Sequence, residues 1–126
     1  MSKEIINTSK APAPIGPYSQ AVKAGGFLFL SGQVAIIPGT SEIKKDNIRE
    51  ETIQVMKNIQ AVLQEAGVDF SHVVKTTIFL KEMSFFTEVN EEYGKFFEKD
   101  FPARETVAVK MLPKDVNVEI SMTAIV

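Results

Sequence analysis

The sequence predicts an α+β domain in which two helices cover one face of a mixed β-sheet. Apolar residues recur at three- and four-residue steps over residues 47 to 66 and again from about 85 to 98, the period of helices with one buried face. Runs of β-branched or alternating residues occupy 26 to 31, 72 to 80 and 117 to 126, the pattern of strands. In chain order the elements read β-β-α-β-α-β-β.

Each element has local reasons. The stretch Ala11-Pro12-Ala13-Pro14-Ile15-Gly16-Pro17 is a loop, because proline removes donors and restricts the residue before it. Tyr18 follows directly, so a stiffened loop delivers an aromatic hydroxyl to a fixed place. Residues 26 to 31 carry apolar side chains on both faces, which implies burial on both sides, and Ser31-Gly32 ends that strand. Pro38, Gly39, Thr40 and Ser41 mark a loop over 34 to 45. In the first helix Ile48, Thr52, Val55, Met56, Ile59, Val62, Leu63 and Ala66 share a face. Asp46 suits its start and Gly67 its C′ position. The second helix has Ser84 as its N-cap and a stripe of Phe86, Val89, Tyr93, Phe96 and Phe97. Residues 106 to 111 alternate loosely, and Leu112-Pro113-Lys114-Asp115 is a turn. Beyond it Val118, Ile120, Met122, Ala124 and Val126 fall on one face, with Glu119, Ser121 and Thr123 on the other.

Two helices leave one sheet face bare. Phe27 to Leu30 and Val73 to Leu80 carry apolar residues toward both faces, and monomers rarely leave so large an apolar patch in water. A partner subunit is therefore expected to cover it.

Composition narrows the chemistry. The chain has 126 residues, the size of one domain spanning 1–126. No apolar run approaches the roughly 20 residues that span a bilayer. The start, Met1-Ser2-Lys3-Glu4, lacks a signal peptide's apolar stretch, so a cytoplasmic protein is expected. With no cysteine, there is no disulfide framework, thiolate zinc site or cysteine nucleophile. One histidine, His72, rules out a multi-histidine metal site within one subunit. A net charge of −2 argues against nucleic acid as a partner; Lys44, Lys45, Lys110 and Lys114 read as solvated lysines. The chemistry must run on carboxylates, arginine, lysine, hydroxyls, backbone groups and water.

Arg104 and Glu119 are the first candidates. A hairpin turning near Pro113 would set residues near 105 opposite residues near 119 or 120, so the two side chains would meet across adjacent strands. Arginine is the natural fork for a carboxylate, whether that of Glu119 or of a substrate. From spacing alone the ordinary reading is a cross-strand salt bridge. Ser31 and Gly32 offer backbone donors to a small anion, or simply a tight turn. Tyr18 offers a hydroxyl, or packs with that hydroxyl at the surface. Asn90 reads as a solvated helix residue, Thr106 as an ordinary strand residue, and His72 as structural. Glu50-Glu51 and Glu91-Glu92 read as solvated helix faces.

Several segments together resemble a known family. They are Ala13-Pro14-Ile15-Gly16-Pro17-Tyr18-Ser19-Gln20, Ser31-Gly32-Gln33, Val74 to Leu80, Val89-Asn90-Glu91, and Pro102-Ala103-Arg104 through Leu112-Pro113-Lys114-Asp115-Val116 to Val118-Glu119-Ile120. In collinear order over nearly the whole chain, they resemble the reactive intermediate deaminase family (RidA/YjgF, also called endoribonuclease L-PSP-like). Ser-Gly-Gln alone is a weak signal; the Gly-Pro-Tyr and Pro-Ala-Arg to Val-Glu-Ile blocks together are strong.

The resemblance implies a chorismate-mutase-like fold and a homotrimer whose sheets form an inner barrel, with ligand pockets in the clefts between subunits. It implies hydrolysis of 2-imino and enamine acids, such as 2-iminobutanoate and 2-iminopropanoate, to 2-oxo acids and ammonia. Such species are released by pyridoxal-phosphate dehydratases. No cofactor or metal is implied. By the resemblance Arg104 grips the substrate carboxylate, Glu119 positions or activates the attacking water, and Tyr18, Ser31, Gly32 and Asn90 line the pocket. Thr106 departs from the pattern: the deaminase branch commonly reads Pro-Ala-Arg-Ser-Cys, so Thr106 stands where a pocket cysteine is usual. That departure motivates an alternative, a regulatory trimer that binds a 2-oxo acid. A third reading, RNA cleavage or translation inhibition, is disfavoured by the acidic balance.

Overall fold

Paired glycines set up the first half of the sheet. In the computed structural model, which describes residues 2–126, Gly25 and Gly26 both have positive φ (59° and 85°), the requirement of a tight two-residue hairpin turn. They join β2 (Ala21–Ala24) to β3 (Phe27–Leu30). Gly26 thus belongs to the turn rather than to the strand. A short further strand, β1 (Glu4–Ile6), pairs with β2. The remaining elements are α1 (Ile48–Glu65), β4 (Val73–Leu80), α2 (Phe86–Gly94), β5 (Ala103–Ala108) and β6 (Val118–Ile125). One six-stranded sheet runs β1-β2-β3-β6-β4-β5, antiparallel throughout except for the parallel pair β4–β5.

The hairpin expected near Pro113 does not form. β4 lies between β5 and β6, pairing parallel with the first and antiparallel with the second. The reason lies in burial. β6 alternates strictly, and Val118, Ile120 and Ala124 are fully buried, so its backbone needs partners on both edges; β3 and β4 supply them. β5 alternates loosely and is largely exposed, which suits an edge strand. The chain passes between them through a short 3-10 turn at Pro113–Asp115, where Lys114 and Asp115 take positive φ.

The helix ends differ in detail from expectation. Asn47, not Asp46, caps α1: its side chain accepts the Glu50 N–H at 2.9 Å, while Asp46 pairs with Lys44 at 2.8 Å. Gly67 takes positive φ just past α1, as expected. Ser84 does not cap α2. It sits in a 3-10 turn, Met83–Phe85, and its hydroxyl donates to Glu82. α2 ends at Gly94, so Phe96 and Phe97 lie beyond it, although both rings still pack on Phe70.

The core fills the space between the helices and one sheet face. Val55, Met56, Ile59, Val62 and Leu63 of α1 are buried against Leu28, Ile78, Leu80, Ile120 and Met122. Two acidic residues read as solvated are in fact buried. Glu51 accepts hydrogen bonds from the backbone N–H and side-chain amide of Asn117, each at 2.8 Å. Glu92 accepts from Arg49 at 2.7 Å and Lys95 at 3.1 Å. The opposite sheet face is bare, as expected: Phe27, Phe29, Val107 and Ile125 are all exposed there.

Candidate active site

Arg104 stands on the edge strand with its side chain toward the helices. Its register partner Thr76 is fully buried on that face. The guanidinium donates from Nη1 to Asn90 Oδ1 at 2.8 Å. It also lies 5.2 Å from the centre of the Tyr93 ring and 5.8 Å from that of Phe86, within range of cation–π attraction. Tyr93 is held in turn by a buried hydrogen bond from its hydroxyl to Thr76 Oγ1, 3.0 Å long, and burial pushes the Tyr93 pKa up. Among the described residues no carboxylate pairs with Arg104. A cleft of about 480 Å³ opens beside it, lined by Asn90, Tyr93, Gly94, Phe101, Pro102 and Arg104. Thr106 follows two residues along on the same face, and its hydroxyl is buried without a hydrogen-bond partner.

Glu119 stands on the other face of the sheet, opposite Phe79. Phe29 pairs with Thr123 whereas Gln33 bridges Ile120, so the chain leaving β3 carries one residue more than β6 over the same stretch. This bulge sets Gly32 against the Glu119 carboxylate, where an added Cβ would collide with it. Any side chain at this position would have to displace the flexible end of Glu119. The carboxylate is half-buried and has no hydrogen bond or ion pair among the described residues, and burial raises its pKa above the ordinary carboxylate value.

Ser31, Gly32 and Tyr18 belong to this second corner. The Ser31 N–H donates to Gln20 O at 2.9 Å and its hydroxyl to Ser19 O at 2.6 Å, so both donors are occupied. The Gly32 N–H has no acceptor among the described residues. Tyr18 is exposed, and its hydroxyl accepts the Ile15 N–H at 3.4 Å. The loop carrying it is anchored by the buried Gln20 amide, which bonds Thr8 and the Pro12 carbonyl.

Six of the seven candidate residues thus form two groups on opposite faces: Arg104, Asn90 and Thr106 on one, Glu119, Gly32 and Ser31 on the other, while Tyr18 sits on the exposed loop whose neighbouring Ser19 carbonyl accepts from Ser31. The expected meeting of Arg104 with Glu119 across adjacent strands does not occur within the chain, because β4 separates β5 from β6. The salt-bridge reading fails with it. His72 does have a carboxylate neighbour, Asp69, at 3.1 Å, but the pair caps a short exposed turn. Sequence reasoning assigned Tyr93 to the apolar stripe of α2 and missed its role under Arg104. Its position three residues after Asn90, one turn along the helix, was the available signal.

The family profile described as "Endoribonuclease L-PSP" matches residues 8–126. A RutC family protein of Pyrococcus abyssi is 50% identical over 98% of both chains. Reactive Intermediate Deaminase A of Arabidopsis thaliana is 44% identical over 98% of this chain and 66% of its own length. The chain belongs to the RidA/YjgF family. Its RidA/YjgF architecture also matches a solved structure of a Rid protein family member from Yersinia pestis, with TM-score 0.96 and 45% identity over 99% of this chain and 100% of that one. Deamination of imines and enamines is a role of the RidA/YjgF family, and the α+β fold with two helices on a mixed sheet is the family fold.

Proposed function

We propose that this protein hydrolyses 2-imino acids to 2-oxo acids and ammonia in a site built from two copies of the chain. One observation carries the proposal. Among the described residues, a guanidinium without a carboxylate and a half-buried carboxylate without a cation lie on opposite faces of one sheet. Each is half of a site for a small anion and a water, and only a second chain can bring the other half to it. The bare apolar face around Phe27 and Phe29 supplies the surface for such an assembly, and a closed homotrimer satisfies every copy equally.

In this reading Arg104 holds the substrate carboxylate, with Asn90 and the Tyr93 ring fixing its direction. The Gly32 N–H donates to the bound acid or water. Glu119 of the neighbouring copy accepts a proton from water as the oxygen bonds to the imine carbon and the C=N π electrons move to nitrogen. Glu119 returns that proton to the nitrogen, giving a neutral carbinolamine. As the C=O bond re-forms and the C–N bond breaks, the carbinolamine hydroxyl passes its proton by way of Glu119 to the nitrogen, which leaves as ammonia. Burial raises the Glu119 pKa, which strengthens it as a base. Orientation and charge complementarity supply most of the acceleration, and no cofactor takes part. The cytoplasm, where pyridoxal-phosphate dehydratases release such imines, is the proposed setting.

The test is a coupled assay with a threonine dehydratase, comparing wild type with Arg104→Ala. The wild type shortens the lifetime of 2-iminobutanoate, and Arg104→Ala returns it to the spontaneous value. Undiminished acceleration by the variant would overturn the assignment. The unpaired Thr106 hydroxyl favours a second reading, a regulatory trimer that binds 2-oxo acids. That reading predicts saturable 2-oxo acid binding with no change in imine lifetime.

A further inference from the structure

Gly94 is a glycine the fold does not require. It is the last residue of α2, its φ is not positive, and a Cβ added there would meet nothing within 4 Å. Glycine is a poorer helix former than alanine, so helix formation gives no reason for it here. What it gains is empty space, and that space is the cleft beside Arg104.

The walls of the cleft have a consistent chemistry. Among the described residues that line it, Arg104 and Asn90 are the side chains with free polar groups, and they lie side by side. The Tyr93 hydroxyl is already bonded to Thr76. The rest of the lining is the Tyr93 ring, Gly94, Phe101 and Pro102. Phe101 is 63% exposed, a large apolar side chain left in water. It is nonetheless braced: its ring centre lies 6.0 Å from Phe97, which packs on Phe70 at 5.4 Å and Tyr93 at 4.9 Å. A fixed cation without a partner thus sits at one end of a rigid apolar wall. The occupant that complements both carries one carboxylate and a hydrocarbon body. At about 480 Å³ the cleft falls within the range of ligand pockets and exceeds what a three-carbon acid fills.

We infer that this cleft is a side-chain subsite for 2-imino acids with bulky apolar substituents, and that Gly94 and Phe101 set its size. The inference rests on the imine-hydrolysis reading and names the substrate class within it.

Imines are generated in place from D-alanine, D-leucine and D-phenylalanine by a D-amino acid oxidase and followed by semicarbazide trapping. The wild type is expected to act on the phenylalanine-derived imine with a kcat/KM at least equal to that for the alanine-derived one. Gly94→Leu is expected to lower the phenylalanine-to-alanine ratio at least tenfold, and Phe101→Ala at least threefold. Gly94→Ala serves where leucine disturbs folding, with a fall of at least threefold. An unchanged ratio, with turnover that still depends on Arg104, overturns the subsite alone. Turnover of every imine that survives Arg104→Ala overturns the underlying reading. An unchanged ratio together with loss of assembly in Phe101→Ala, read by sedimentation, assigns the aromatic wall to a second copy and also overturns the subsite.

Discussion

Glu119 carries a carboxylate whose neighbours hold it partly away from water without offering it a partner. Gly32 packs against it, and no cation or donor answers it among the described residues. For such a group the folded state favours the protonated form. Its folded pKa lies above its unfolded one, so its ionisation disfavours folding as pH rises from the unfolded value through the folded one. Glu119→Gln removes that cost. The variant is therefore expected to melt at a temperature equal to or above that of wild type at pH 7 to 8, while losing imine hydrolysis. Melting curves and the coupled assay check both halves. The acid limb of the kcat/KM profile should fall above the ordinary carboxylate pKa in wild type. A clear loss of thermal stability in Glu119→Gln would show that the carboxylate supports the fold instead.

At the scale of elements, the buried Glu51 carboxylate ties the middle of the sheet to α1. It accepts two hydrogen bonds from Asn117, one residue before β6 begins. Glu51→Ala leaves the part-buried N–H and side-chain amide of Asn117 without acceptors, and should cost about 2 kcal/mol, measured by urea denaturation. A change under 0.5 kcal/mol would show that water replaces the carboxylate without penalty. This contact also marks what the sequence could convey. The helical period of α1 and the alternation of β6 are local patterns, and both were legible in the residues. The Glu51–Asn117 bond joins residues far apart in sequence, and nothing in the pair Glu50-Glu51 shows which carboxylate turns inward. Strand order was hidden for the same reason. The turn at Pro113 looks like a hairpin, and only the pairing of both β6 edges, with β3 and with β4, places β4 between it and β5. The candidate residues stood out as motifs. Their split between two faces was not, because it follows from that strand order.

For the whole molecule, the split makes a prediction no single-chain site would make. Arg104→Ala and Glu119→Gln chains are each expected to be inactive alone. Mixed by co-expression, they assemble sites that take Arg104 from one chain and Glu119 from another. With random assembly of equal amounts, about a quarter of the sites in a symmetric closed ring are intact, so about a quarter of wild-type activity should return. Activity that stays at zero in mixed assemblies, verified as mixed by mass, would mean that both groups act within one chain. The bare face around Phe27, Phe29, Val107 and Ile125 is the surface whose burial would drive the proposed assembly.

The placement of Arg104 and Glu119 on opposite sides of one sheet has a kinetic consequence as well. Under the proposed two-chain site, a newly made solitary chain holds both groups and can bring neither to the other's ligand, so it is expected to be inert. Specific activity is then expected to fall on dilution through the assembly threshold and to return on concentration with a lag. The reaction order in protein is expected to rise above one near that threshold, tying output steeply to the amount of chain present.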